Sequence, residues 1–420
     1  MGHLTVKNYN LLYERMDRSI YGVYDSREFY QILKILFTDE EALLCSFLPM
    51  LPSPLAKISN IWNMPPVQTE AILKTLVKKG LVYEDEFNGA TLYLLALPIF
   101  GFFEFSLMRT DGMYDREALS HLYNRYITED LSFVKKFFAR NPPLSRTFVQ
   151  EDSLPEEITS EILPYEKITH IVQSAEKISV GTCFCRHKMA HAGKACNAPE
   201  DVCLSFGSIA KTLNKNCIAR EVSKAEATKI IDNCISDGLV QIGDNIKKQT
   251  AVLCNCCGCC CELILSYKKT GLSTIVTPSD YIARIDNELC LECGTCQEKC
   301  PVDAISSINN LLSVQNDWCL GCGVCARSCE TGALKMESRP RKHDIPEDTL
   351  RKVVVAAIYQ EKAGNYLFDD QKSFAHKVGR KLTNLILKLP EVKKILLNKR
   401  VQDRLLELVL KKSKLETLEL

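Results

Sequence analysis

The sequence predicts a multidomain α+β chain, and three observations carry that prediction. At 420 residues and 46% hydrophobic content the chain is long enough for two to four domains with cores of their own. Helix-like and strand-like patterns alternate over the first hundred residues. Of the 21 cysteines, all but Cys45 fall in one block between Cys183 and Cys329. The expected organisation is a mixed helix-and-hairpin domain over 1–115, a helical linker over 116–180, a Cys-rich domain over 181–265, a second cysteine-bearing domain over 266–338 and a helical tail over 339–420.

In the first segment, Thr38-Asp-Glu-Glu41 is a capping box that opens a helix through Ala42, Leu43, Leu44, Phe47 and Leu48, stopped by Pro49. Cys45 lies on this helix as a core thiol. Pro65-Pro66 opens a second helix with apolar residues at Ile72, Leu73, Leu76 and Val77, ended by Gly80. Leu81-Val82-Tyr83, a turn at Asn88-Gly89 and Leu92-Tyr93-Leu94 form a hairpin. Helices followed by a hairpin in this order resemble a winged-helix domain, which implies DNA binding as one function. The charges oppose it: the second helix offers Lys74, Lys78 and Lys79, but the hairpin carries Glu84, Asp85 and Glu86 with no base. Acidic side chains there would repel the phosphates that supply most non-specific affinity. A scaffold or dimerisation role is expected instead.

Residues 116–180 read as helical and connective, interrupted by Pro142-Pro143 and by the acidic stretch 151–161. Further on, Ile230, Ile231, Cys234, Ile235, Gly238, Leu239 and Val240 repeat the spacing of Ile72, Leu73, Leu76, Val77, Gly80, Leu81 and Val82, with Ser223-Lys-Ala-Glu226 as a second capping box. Cys234 occupies the position of Leu76, so it packs rather than ligates. The tail is helical and free of cysteine. Its stripe Leu382, Leu385, Ile386 and Leu389, followed by Lys393, Lys394, Lys399, Arg400, Arg404, Lys411 and Lys412, reads as a cap packed on the cysteine-bearing domains, with docking to a surface as the alternative.

A net charge of +1 favours neither a nucleic-acid nor a membrane partner. The N-terminal MGHLTVKNYNLLYERMD has no basic segment followed by an apolar run, so no signal peptide is expected. Leu92 to Met108 is broken by Pro98, Gly101 and Glu104 and reads as core rather than as a membrane span. A cytoplasmic chain keeps its thiols reduced, which leaves them free for metal and argues against a disulfide framework.

Two tetrads dominate the cysteine block: Cys290-x2-Cys293-x2-Cys296-x3-Cys300-Pro301, then Cys319-x2-Cys322-x2-Cys325-x3-Cys329. Three thiolates spaced by two residues wrap one face of a cubane, and a distant cysteine supplies the fourth. Zinc ribbons also use Cys-x2-Cys pairs, but two full tetrads 29 residues apart argue for iron and sulfide. Both tetrads, together with Cys300-Pro-Val-Asp-Ala-Ile and Gly332-Ala-Leu, resemble the bacterial two-cluster ferredoxins over about 50 residues. The resemblance implies two [4Fe–4S] clusters, one on Cys290, Cys293, Cys296 and Cys329 and one on Cys319, Cys322, Cys325 and Cys300. It also implies an electron-transfer role with a redox partner protein. Glu330 stands where that motif usually has proline, a departure that removes no ligand.

Upstream lie Cys183-x-Cys185-Arg186-His187, Cys196, Cys203 and the run CNCCGCCC, which carries Cys254, Cys256, Cys257, Cys259, Cys260 and Cys261. This arrangement ahead of a ferredoxin module resembles a group of iron–sulfur proteins of anaerobic bacteria and archaea, implying further cluster binding and no particular reaction. Cys256-Cys257-Gly258 is in addition similar to a signature of heterodisulfide reductases, without that family's spacing to a later Cys-x2-Cys. Adjacent cysteines point in different directions and so suit ligands shared between irons or clusters. The ten upstream cysteines are compatible with two more cubanes or one larger cluster, and zinc or reduced thiols are the alternatives for the Cys183–Cys203 group. Arg186 is placed to stabilise a reduced, negatively charged cluster. His187 and His191 share a helix face beside the site rather than ligating. There is no Gly-x4-Gly-Lys-Ser/Thr loop, no His-Glu-x2-His and no Gly-x-Gly-x2-Gly after a strand, so nucleotide-driven, zinc-protease and Rossmann chemistries are not expected. The chain thus reads as an electron carrier, with a reductase whose upstream centre is catalytic, or a redox-sensing winged-helix regulator, as the alternatives.

Overall fold

In the computed structural model, residues 2–87, 89–159, 162–308 and 311–413 are described. The chain is mixed helix and sheet and divides into two compact units. One comprises 1–142, 215–218 and 348–420, and the other 143–214 and 219–347. The Cys-rich and second cysteine-bearing segments therefore share a unit, and the tail from 348 shares the other with the N-terminal segment. No helix among the described residues is long and apolar enough to cross a membrane.

In the first unit the Thr38 capping box forms as its spacing predicts. The Thr38 hydroxyl accepts from the Glu41 amide at 3.2 Å, and the Glu41 carboxylate accepts from the Thr38 amide at 2.8 Å. The chain then runs through strand β1 (Ser53–Pro54), helices Leu55–Trp62 and Pro66–Lys78, and strands β2 (Val82–Phe87) and β3 (Ala90–Leu95). These make a three-stranded sheet in the order β1-β3-β2, with Phe87 paired to Ala90. Asn88 of the expected turn lies outside the described residues, as do 160–161 of the acidic stretch and 414–420 of the tail. Leu73, Leu76 and Val77 are buried, and Cys45 is fully enclosed, its thiol pushed up by burial. The tail docks on the N-terminal helices. Lys362 Nζ donates to the carbonyls of Asp17 and Ser19, both at 2.6 Å, and the Asn365 amide donates to Arg18 O at 2.7 Å. The stripe expected to pack as a cap instead faces solvent, with Leu382, Leu385, Ile386 and Leu389 all exposed.

The second unit is built on a seven-stranded sheet. Its strands are β4 (Ser145–Thr147), β5 (Ile178–Thr182), β6 (Asp201–Phe206), β7 (Arg220–Glu221), β8 (Val240–Asp244), β9 (Val252–Cys256) and β10 (Val276–Thr277), in the order β10-β4-β8-β9-β6-β5-β7. Among the described residues β10 and β4 run parallel and the other pairs antiparallel. Two of these strands, β4 and β5, begin within the stretch expected to be a helical linker. Ser145–Thr147 is too short to show alternation and is recruited by pairing with residues 131 positions away. On one face Ile178, Val180, Leu204, Phe206 and Leu253 pack against Ile171, Val172, Ala227 and Ile231 of helices Ile168–Ser174 and Lys224–Ser236. Period-two alternation puts Cys203, Cys254 and Cys256 on the opposite face. The remaining strands are β11 (Tyr281–Ile285), β12 (Ile305–Ile308), β13 (Leu311–Val314) and β14 (Leu334–Ser338), paired β11 with β14 and β12 with β13, both antiparallel.

Cys234 sits where its echo of Leu76 placed it, fully buried beside Met189, Val202 and Leu239, with its thiol pushed up to about 12 by burial. Cys234→Ala is expected to cost on the order of 1 kcal/mol through the small void it leaves and to leave the metal content of purified protein unchanged. Thermal unfolding and elemental analysis of the variant check both halves of that expectation.

Candidate metal centre

The ten upstream cysteines come together at one end of the seven-stranded sheet, but as two groups. Antiparallel pairing of Leu204 with Leu253 sets Cys203 beside Cys254 across β6 and β9, and Cys256 follows on the same face. Cys254 accepts from both Cys203 and Cys256, which hold its thiol well below the usual range. Cys256 and Cys261 lie 3.2 Å apart, Sγ to Sγ. Cys261 accepts from Cys185, which with its contact to Cys256 holds it down to about 6. Cys183 donates to Cys185 and is itself pushed up. Cys183, Cys185, Cys203, Cys254, Cys256 and Cys261 thus form one continuous nest of six sulfurs.

The other four converge elsewhere. The Sγ atoms of Cys196, Cys257, Cys259 and Cys260 all lie within 4.8 Å of one another. Cys257 is held down to about 4, first by a hydrogen bond from Cys260. The adjacent pairs Cys256-Cys257 and Cys260-Cys261 therefore split between the two groups, as expected for neighbours pointing apart. Cys259 and Cys260 do not: their sulfurs approach to 3.7 Å because the chain turns sharply between β9 and helix Glu262–Thr270. In each group thiolates sit among thiols that donate to them, and like charges this close cannot all ionise without a cation.

Three polar features hold the walls of this region. Arg186 is 1% exposed; one Nη donates to Asn255 O at 3.2 Å and approaches Cys257 Sγ at 3.8 Å. Its Nε and other Nη are buried with no partner among the described residues. Burial opposes its charge, but the nearby sulfurs of Cys183, Cys257 and Cys256 outweigh burial and favour the charged guanidinium. Lys188 and Glu262 form a fully buried ion pair that ties helix Phe184–His191 to helix Glu262–Thr270, and the Glu262 amide donates to Cys185 Sγ at 3.5 Å. A chain of buried amides anchors β9. Gln150 donates to Gln241 Oε1 at 3.1 Å, Gln241 to Asn255 Oδ1 at 3.0 Å, and Asn255 to Val202 O at 2.8 Å. His187 and His191 stack on each other with ring centroids 5.1 Å apart.

The downstream tetrads sit on two similar halves. In each, a cysteine loop leads into a single-turn helix, Thr295–Glu298 or Val324–Arg327. Cys300, Cys319, Cys322 and Cys325 line one apolar cavity with Ala283, Val302, Ile305, Val314 and Met336. The Cys300 sulfur accepts from the Ala304 amide at 3.2 Å. Cys290, Cys293, Cys296 and Cys329 lie at the more exposed end, where the Cys290 sulfur accepts from the Glu292 amide at 3.4 Å. The Cys319 loop needs glycine at Gly321, because φ is +68° and a Cβ there would lie 2.2 Å from Tyr281 O. Four soft thiolates per set and backbone N–H donors to sulfur fit an iron–sulfur cluster at each set, with an apolar enclosure around Cys300, Cys319, Cys322 and Cys325.

The two cysteine regions touch. A Cβ on Gly258 would lie 2.7 Å from Pro301 O and 3.1 Å from its Cα, so the CNCCGCCC turn packs its bare backbone on the residue after Cys300. Lys268 pairs with Asp303 at 2.6 Å beside it. At a second point the Gln150 amide donates to Cys322 O at 3.0 Å, and Arg327 pairs with Asp152 at 3.0 Å. Gln150, Gln241, Asn255 and Glu262 were not singled out by sequence reasoning. Glu262, an acid directly after three cysteines at the start of an otherwise apolar turn, carries the only local signal among them.

Lys188→Met leaves Glu262 buried without its counter-charge and is expected to cost about 3–5 kcal/mol. The double variant Lys188→Met/Glu262→Gln recovers most of that loss. Chemical denaturation under anaerobic conditions reads the difference.

Comparison with known proteins bears on the downstream half. A family model described as a 4Fe-4S dicluster domain matches residues 283–336. No curated protein and no solved structure matches the chain. The segment that carries both tetrads is therefore ferredoxin-like, and the chain carries a 4Fe-4S dicluster domain.

Proposed function

We propose that this chain is an iron–sulfur electron-transfer protein whose dicluster domain exchanges electrons with a further iron–sulfur centre in the Cys-rich domain. Cys290, Cys293, Cys296 and Cys329 hold one cluster of the dicluster domain, and Cys319, Cys322, Cys325 and Cys300 hold the other. The observation that carries the proposal is the backbone contact of Gly258 with Pro301, which sets the upstream thiols directly beside the loop of Cys300. When bound, such clusters accept and release one electron at a time with little change in geometry. The protein's part is to hold the sulfurs rigidly, donate backbone N–H groups to them and keep water away. Arg186 adds the positive charge that favours a reduced centre in the six-sulfur nest. A soluble redox protein in the cytoplasm supplies or takes the electrons.

A second reading makes the upstream centre catalytic. It is favoured by an open cleft of about 560 Å3 lined by Cys196, Cys257, Cys259, Lys268, Lys299 and Asp303, in which Cys259 is exposed. We read residues 1–115, with the strand order β1-β3-β2, as a winged-helix-like domain in a scaffold role. Two of the three lysines of its second helix are already engaged, Lys74 with Glu70 and Lys79 with Glu41, both at 2.6 Å, and β2 carries Glu84, Asp85 and Glu86. DNA binding by a redox-sensing regulator is disfavoured on that ground.

Anaerobic purification with iron and sulfide counting tests the proposal: twelve or more irons are expected, whereas about eight would confine iron to the dicluster domain and defeat it. Arg186→Gln is expected to lower the upstream midpoint potential by on the order of tens of millivolts, with Arg186→Lys restoring part of the shift. A redox titration followed by EPR reads both variants, and an unchanged potential in Arg186→Gln would remove Arg186 from the centre.

A further inference from the structure

The four-sulfur group has a geometry of its own. Cys196 and Cys257 are 3.7 Å apart, Cys196 and Cys260 3.9 Å, and Cys259 and Cys260 3.7 Å, Sγ to Sγ. A single ion bound to four thiolates at about 2.3 Å in a tetrahedron places its sulfurs about 3.8 Å apart, the edge of that tetrahedron. A cubane puts each thiolate on a different iron and spreads the sulfurs further by the width of the iron tetrahedron. These three spacings match the single-ion edge, and the other three pairs lie within 4.8 Å, short of the wider spread of a cubane. The donor set is complete, because four thiolates fill a tetrahedral ion and leave no open position.

Chain geometry agrees with this. Cys257, Cys259 and Cys260 come from one tight turn, and Cys196 reaches in from the loop after helix Phe184–His191. Side-chain hydrogen bonds link the four to one another, while the other six form their own chain through Cys203, Cys254, Cys256, Cys261, Cys185 and Cys183. The alternating assignment of Cys256, Cys257, Cys260 and Cys261 is what separates two centres built from one octapeptide. Arg186, between them, touches Cys257 and feels the charge of Cys183 and Cys256.

We infer that Cys196, Cys257, Cys259 and Cys260 bind one tetrahedral thiophilic metal ion, zinc or a lone iron, as a centre separate from the six-sulfur nest. The ion closes the turn that presents Gly258 to Pro301 and Cys254, Cys256 and Cys261 to the nest. As zinc it is a structural clamp, and as iron it is also a one-electron relay. The inference deepens the proposed function and rests on its division of labour, but it stands or falls on a different measurement.

The test uses the full chain purified anaerobically, with zinc, iron and acid-labile sulfide counted and X-ray absorption recorded at the zinc and iron edges. The expected result is one ion per chain with four sulfurs at about 2.3 Å and no metal neighbour. One zinc per chain identifies the clamp; an iron that exceeds the sulfide count by one identifies the relay. Cys259→Ser, at the exposed ligand, is expected to remove that one equivalent and no sulfide. Loss of about four irons with four sulfides in Cys259→Ser would show a cubane there and overturn the inference, as would a wild-type chain with neither zinc nor an iron lacking sulfide. A total of about eight cluster irons alongside one zinc would defeat the upstream iron–sulfur proposal while leaving this one standing.

Discussion

Crowded thiols need a positive charge, and the second unit of this protein is organised around that constraint. Ten sulfurs converge at one end of a sheet whose opposite face is an ordinary apolar core. Among bare thiols the repulsion is relieved by shared protons, with Cys254, Cys257 and Cys261 as acceptors and their neighbours as donors. A bound metal replaces those protons with a stronger and more directional charge. Arg186 supplies a fixed cation that touches Cys257 of one group and feels the charge of Cys183 and Cys256 of the other, and its two buried donors without partners among the described residues suit an anionic sulfide.

The surrounding framework keeps these groups in place with polar interactions of the costly sort. The pair Lys188 with Glu262 is fully buried, and such pairs fix geometry more than they add net stability. The amides of Gln150, Gln241 and Asn255 are linked in a buried chain of hydrogen bonds. Gln150 also reaches Cys322, so the same network that positions β9 positions the ferredoxin-like segment. Rigidity suits electron exchange, because centres that do not move when their charge changes lose little energy to reorganisation.

Sequence alone showed the downstream tetrads in full, because their spacing is itself the geometry of the loop. It also placed Cys45 and Cys234 in the core through helical periodicity, and the Thr38 and Ser223 caps through local chemistry. The partition of the upstream cysteines into six and four was not legible. It depends on which face of β9 each residue takes and on a turn that brings Cys259 and Cys260 together against the usual divergence of neighbours. Pairing of β10 with β4 across 131 positions, and the burial of Gln150 and Gln241, left no local trace either. The exposed stripe at Leu382 and Leu385 shows the converse: its periodicity is plain, but periodicity does not say whether anything covers it.

The proposed upstream centre would lie in magnetic contact with the cluster proposed on Cys300, since Gly258 lies on Pro301 with no side chain between them. EPR of the fully reduced protein, with spins counted per chain, tests it. The account predicts more than about two spins and broadening of the signal from the cluster on Cys300 by its upstream neighbour. About two spins with the lineshape of an isolated dicluster ferredoxin would contradict it.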